Sequence, residues 1–361
     1  MAYSILALLT CFLVLVTVLP LWRHEAWWVR GLDFPRLQFI IFAILLLASD
    51  GMLLNFSDYD TWALTGTAAI CFVYHGGWIL PYTRLYPTEV KWARPKNRAN
   101  KISILTANVL TPNRNTDALI GLVENYKPDV LVTLETDAWW QEKLAVLESN
   151  YTYSIKCPQD NLYGMHVYSK LPLEDSAIQY LVEPDVPSIH SLVVLPSGIK
   201  VRMHFLHPAP PSPTENPEST ERDAELLVVA KSVANEAIPI IVTGDLNDVA
   251  WSETTRLFRK ISGLLDPRVG RGMFNTFHAN YPFARWPLDH LFHSDHFTLC
   301  KIKRLPYFGS DHFPVFVELA YDAFHGADQE GIEADTEDHE WAEEKLEAKA
   351  VDESDVHEPG K

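Results

Sequence analysis

Apolar residues follow two different patterns along the chain. Up to residue 82 they run in long stretches at about 4–22 (SILALLTCFLVLVTVLPLW), 37–56 and 62–82, each as long as a helix that crosses roughly 30 Å of hydrocarbon. The first stretch has no basic residue before it and no small-residue cleavage site before Arg23, so it reads as a span and not as a signal peptide. Three membrane helices are predicted within residues 1–83. Asp50 and His75 fall inside the second and third. A polar group facing lipid is costly, so each is expected to face another helix or, in the plainer reading, to sit near a helix end at the interface.

From Lys101 onward, short β-rich runs alternate with helical periodicity: KISILTANVL and DVLVTLET as strands, TDALIGLVENY and WWQEKLAVLESNY as helices. SIHSLVVL and IKVRMHFLH flank a Pro-Ser-Gly turn as antiparallel strands, and IPIIVTGDLN is an apolar strand with a polar end. LDHLFHS, FTLCKIKRL and HFPVFVEL close the pattern. The class is mixed α+β over residues 101–322, joined to the apolar segment by a basic, proline-containing linker at 84–100. Residues 323–361 turn acidic and lose apolar periodicity apart from a short helical stretch around EWAEEKLEAKA, which predicts a disordered tail.

The formal net charge is −17, made of −11 in the last 37 residues, −8 in residues 101–324 and +2 in residues 1–100. A domain that grips nucleic acid through its phosphates usually presents a basic face, and no basic stripe is visible. The four cysteines, Cys11, Cys71, Cys157 and Cys300, lack metal-type spacing and read as small buried hydrophobes.

Polar residues gather where apolar strands end: Asn108 after ISILTA, Glu135 after DVLVTL, His207 after RMHFL, Asp245 and Asn247 in GDLN, Asp289 in LDHLF, and Asp311 and His312 in GSDHFP. Taken singly, each fits a turn or an exposed strand end. Taken together, carboxylates converging with amides and histidines offer oxygen ligands to a hard cation.

In order and spacing, TANV, LET, YGMHVYSK, HFLHP, GDLND, LDHLF and GSDHFP resemble the endonuclease/exonuclease/phosphatase family, and within it the bacterial branch with N-terminal membrane helices similar to VanJ. The resemblance implies a four-layered α/β sandwich of the DNase I type and hydrolysis of phosphate esters with Mg²⁺ or Mn²⁺. It implies metal binding by Glu135 and Asp311, and phosphate binding by Asn108 and Asn247. Asp245 would position or deprotonate water, His207 would contact the phosphate or protonate the leaving oxygen, and His312, oriented by Asp289, would act as base or phosphate ligand. Leu110 stands where some family nucleases carry an acid, which removes one metal-site carboxylate.

An active site tethered at a bilayer meets lipid phosphates at raised local concentration. The expected enzyme is a membrane-anchored phosphoesterase acting on a phosphorylated small molecule or lipid, with a membrane-tethered nuclease as the first alternative and a non-catalytic scaffold as the second. No protein partner is evident. The expected location is a bacterial inner membrane, multi-pass. Basic residues flanking the spans place the domain in the cytoplasm, while the resemblance points to the outer side, and the side stays open.

Overall fold

The computed structural model describes residues 1–94 and 97–361. Residues 95 and 96, within the expected linker and including Lys96 of its basic run, lie outside the described residues.

Helices Ala2–Val18, Arg36–Leu53 and Tyr59–Ile79 are long and apolar enough to cross a membrane. They pack on one another through Leu13, Ala43, Leu46 and Ala68, leaving Leu8, Leu45, Ile70 and Val73 exposed. Asp50 and His75 take the first of the two expected placements and face another helix. Both lie close to helix ends, but they are buried against a neighbouring helix, Thr65 donating to Asp50 at 3.1 Å and Thr17 sharing a hydrogen bond with His75 at 3.0 Å. A polar group satisfied between helices avoids the cost of facing lipid. Of the cysteines, Cys71 and Cys157 are buried, whereas Cys11 is exposed and Cys300 half-exposed.

The rest of the chain is an α+β sandwich of two sheets. Strands β1 (Lys101–Asn108), β2 (Val130–Leu134), β3 (Tyr153–Cys157) and β4 (Met165–Ser169) join β10 (Phe297–Arg304) and β11 (Val315–Tyr321) in the order β10-β11-β1-β2-β4-β3. Strands β5 (Leu173–Gln179), β6 (Ser188–Val194), β7 (Lys200–Leu206), β8 (Ile240–Asp245) and β9 (Asp289–His293) form the second sheet in sequence order. Alternation along β1 sends Ile102 and Ile104 into the core between the sheets and Leu105 and Ala107 outward, under helices Thr116–Tyr126 and Ala138–Leu144. On the far side, helices Thr220–Ser232 and Glu253–Ser262 cover Leu206, Ile240 and Val242. The layers are therefore helix, sheet, sheet, helix.

Among the described residues two strand pairs are parallel, β1 with β2 and β7 with β8. They face each other across the core, where Thr106 and Thr243 meet at 3.1 Å. Four carboxyl-terminal strand ends thus open on one rim, and that topology places the site.

Two boundaries differ from expectation. The segment after the third helix is fastened to the domain and is not a free linker: Val90 is in the core, Glu89 pairs with Arg259 at 2.5 Å, and Trp92 bridges to Leu299 of β10. Residues 323–361 are ordered where disorder was expected. Helix Thr336–Glu347 opens on a reciprocal cap between Asp335 and Asp338 and lays Ala342 and Leu346 into the outer helical layer. Lys345, buried, pairs with Asp223 at 2.8 Å and Glu25 at 2.7 Å. The acidic composition concealed three apolar anchors, Ala342, Leu346 and Val356. Leu346→Ala is expected to destabilise the protein by about 2–5 kcal/mol, read as a lower unfolding midpoint of the detergent-solubilised chain, whereas a detached tail would give no change.

Glu225, within helix Thr220–Ser232, is buried with Oε1 unpartnered, and burial, followed by the nearby Glu183 carboxylate, pushes its acid up to about 8. The folded chain therefore keeps a proton that the unfolded chain releases near pH 4.5. This group makes stability fall as pH rises from about 4.5 to 8. Glu225→Gln should raise the unfolding midpoint at pH 8 and leave it nearly unchanged at pH 4, and a parallel shift at both would refute the assignment.

Candidate active site

The rim collects its residues by register. Asn108 ends β1, Glu135 follows β2, His207 follows β7 and Asp245 ends β8. Asp289 opens β9 and is paired directly with Asp245 in the antiparallel ladder. Ser310–His312 precede β11, which runs antiparallel to β1. Asn108, His207, Asp245, Asp289 and His312 are all buried.

Asn108 joins the two sheets. Its amide donates to Glu135 at 2.7 Å and to Asp245 at 3.1 Å, while its Oδ1 accepts from the Leu110 N–H at 3.0 Å. With both amide hydrogens on carboxylates, Asn108 positions two acids. Glu135 and Asn247 hold left-handed backbone, φ 59° and 51°, a conformation costly for Glu. Glu135 is fixed there by Thr111, which donates to its carbonyl at 2.7 Å, and by the neighbouring Thr136 peptide, which pairs with Gly164. A Cβ on Gly164 would lie 1.9 Å from the Thr136 carbonyl oxygen, so only glycine admits this approach.

Asp245, Asp289 and His312 form a closed ionic triad. His312 Nδ1 lies 2.8 Å from Asp289 and its Nε2 3.4 Å from Asp245. Burial alone would favour the neutral ring, but the two carboxylates outweigh it and push His312 up to about 10. Asp245 is held below the usual carboxylate range because His312 and His207, with the Asn247 and Asn108 hydrogen bonds, overcome its burial. His207 lies 4.0 Å from Asp245, and burial pushes it down to about 4, so the ring is neutral. Asn247 donates its amide to the Pro208 carbonyl at 2.9 Å and its backbone N–H to Asp245 at 3.0 Å. Asp311 is half-exposed at the rim, outside the triad, and its carboxylate acts electrostatically on both Glu135 and His312.

Three supporting residues were not legible beforehand. Phe277 stacks on His312 at 4.9 Å, Tyr163 on His207 at 5.4 Å, and Arg222 holds the Asn247 carbonyl at 3.0 Å while pairing with Asp223 and Asp248. Tyr163 had one signal, its place before Gly164. Phe277 lies in an aperiodic loop and had none.

The profile described as "Endonuclease/Exonuclease/phosphatase family" matches residues 105–312, more than half of the chain and all eight expected site residues. This chain belongs to the endonuclease/exonuclease/phosphatase family. Among solved structures, the human Nocturnin catalytic domain with bound sulfate anion is similar at 17% identity and TM-score 0.52, covering 63% of this chain and 96% of that one. A humanized D. rerio TDP2 aligns at 19% identity and TM-score 0.48, covering 61% and 99%. No curated relative matches the sequence. Family members are phosphoesterase and nuclease hydrolases that depend on a divalent metal.

The residues present fit such an ion. Glu135 Oε2 and Asp289 Oδ1 are buried without a hydrogen-bond partner, and burial, with Asp311 and Asp245 adding to it against the Asn108 hydrogen bond, pushes Glu135 up to about 7. A buried acid in that state takes either a proton or a cation. The triad also offers ligand atoms within 4.8 Å of one another, but His312 already pairs with both of its carboxylates. The unpartnered Glu135 oxygen, which feels the Asp311 carboxylate at the rim, is a second group that could hold a hard cation. Mg²⁺ or Mn²⁺ should therefore raise the unfolding midpoint, by about 2.7 kcal/mol at a hundredfold excess over Kd, and Glu135→Gln should abolish the rise. Loss in Asp289→Asn with retention in Glu135→Gln would move the ion to the triad.

Proposed function

We propose that this family member is a membrane-anchored, divalent-metal-dependent phosphoesterase that hydrolyses phosphate esters presented at the bilayer surface, lipid-linked phosphate foremost. One observation carries the reading. The residues flanking the catalytic loops pack on the ends of the apolar helices: Val249 and Trp251 beyond Asp245, Leu288 beside Asp289 and Phe277 against His312 share a cluster with Phe34, Leu37, Ile40 and Ile79. In the same loop, the Phe283 carbonyl accepts from Gln38 at 2.8 Å and Trp286 stands edge-on to Phe34 at 5.6 Å. Phe283 and Tyr281 are exposed, at 78% and 51%. With the helices in a membrane, this lip lies at the headgroup layer and the catalytic rim opens beside it.

The residues suit displacement at phosphorus. Asp245, kept ionised, accepts a proton from the attacking water as its oxygen bonds to phosphorus. His312, cationic and fixed by Asp289, offers charge to the phosphoryl oxygens, and neutral His207, 4.0 Å from Asp245, is a hydrogen-bond donor beside it. The P–O bond to the alcohol breaks, that oxygen takes a proton from solvent, and Asp245 releases the proton it accepted. A bound divalent cation adds charge neutralisation at the phosphate.

Phosphate release by the detergent-solubilised protein, with and without Mg²⁺, is the decisive measurement. Metal-dependent hydrolysis of lipid phosphates is expected to fall by about 10²–10⁴ in Asp245→Ala and in His312→Ala. Cleavage of plasmid DNA instead would make the chain a tethered nuclease, and no activity on either substrate would overturn the enzymatic reading.

A further inference from the structure

At the junction of the apolar helices and the domain lies a cavity of about 330 Å³ between the end of the third helix and the start of helix Glu253–Ser262. Its walls are aromatic: Trp78 and Tyr82 from the helix end, Trp251 from the loop beyond Asp245. Its charged groups are Arg256, Arg259 and Glu89, two cations against one anion.

The two guanidiniums differ. Arg259 is buried and pairs with Glu89 at 2.5 Å, yet its Nε has no hydrogen-bond partner. Arg256 is exposed, lies 5.3 Å over the Trp78 ring, and has no carboxylate within ion-pair distance among the described residues. The third cation on the same helix, Lys260, is paired with Asp338 at 2.5 Å. In a domain with an acidic balance, an unpaired cation beside a buried unpartnered donor needs an anion.

Height in the structure selects which anion. Trp78 and Tyr82 lie within a turn of Ile79, the last residue of the spanning-length helix. Tryptophan and tyrosine at a helix end mark the headgroup layer, and long cationic side chains reach to lipid phosphate there. We propose that this cavity binds the phosphate headgroup of an anionic phospholipid, with Arg256 as its cation and Trp78, Tyr82 and Trp251 as walls. The inference rests on the membrane seating proposed above. Its consequence is mechanical: Ala250 and Trp251 line the cavity and continue the chain from Asp245 and Asn247, so a bound lipid braces the loop beyond the catalytic acid against the helix end.

The test uses the full chain reconstituted in nanodiscs of phosphatidylcholine alone or mixed with phosphatidylglycerol, reading the unfolding midpoint and, by native mass spectrometry, retained lipid. Phosphatidylglycerol should raise the midpoint and be retained. Arg256→Gln should lose both effects while matching the native midpoint in phosphatidylcholine, and Lys260→Gln should keep the phosphatidylglycerol effect. Equal midpoints in the two compositions, or a rise that survives in Arg256→Gln, would overturn the proposal. So would an equal rise from inorganic phosphate added to phosphatidylcholine discs. Recovery of the chain from cells without detergent would remove the membrane seating and this proposal together, whereas a composition-independent midpoint in a chain that requires detergent removes this proposal alone.

Discussion

Two buried carboxylates from different sheets, Glu135 and Asp245, share one amide group, that of Asn108. Like charges in a low-dielectric interior repel, and this arrangement persists because each charge has its own compensation. Asn108 bridges them, His312 draws Asp245 toward Asp289, and the remaining Glu135 oxygen is left for a cation. The rest of the domain can be read as what is required to bring these groups together. The parallel pairs β1/β2 and β7/β8 must sit back to back so that four strand ends open on one rim, and β9 must return antiparallel so that Asp289 faces Asp245.

The same rim explains where strain is tolerated. Glu135 and Asn247 both take left-handed backbone immediately after a strand, which turns each side chain off the sheet edge and over the site. Such conformations hold only when neighbours overdetermine them. Here the neighbours are the Thr111 hydroxyl and the close Gly164 approach for Glu135, and the Pro208 and Arg222 hydrogen bonds for Asn247.

What could be read from the chain follows from range. Strand and helix existence rests on local periodicity, and the polar residues that end apolar strands, Asn108, Glu135, His207 and Asp245, were visible because a strand end is a local event. Their pairwise geometry was not, since it depends on sheet order: nothing local to GDLND or LDHLF says that Asp245 and Asp289 are ladder partners. Phe277 and Arg222 were invisible for the same reason. The error at 323–361 has another cause. Composition averages over a window, and three apolar side chains spaced along a helix and its extension suffice to dock a segment whose mean character is acidic. Lys345 then makes the docking specific, because Asp223 is buried and a buried acid without its cations is severely destabilising.

Anchoring and catalysis converge in one short stretch. Between Asp245 and Ser252 the chain supplies a carboxylate held ionised, a left-handed turn at Asn247, the buried Asp248 that holds the cap of the next helix, and three residues, Val249, Ala250 and Trp251, that pack on the apolar helices. A domain merely tethered by a flexible connector would not need this, and the segment after the third helix is not such a connector: Glu89 is paired with Arg259, Val90 enters the core and Trp92 adds a bridge to β10. Rotation of the domain relative to the helix ends would break the Gln38–Phe283 bond, the Tyr82–Ala250 bond and the Phe34–Trp286 contact at once. The catalytic rim is therefore held in one orientation relative to the apolar helices, which is the geometric condition for taking a substrate from the plane of a bilayer and not from bulk water.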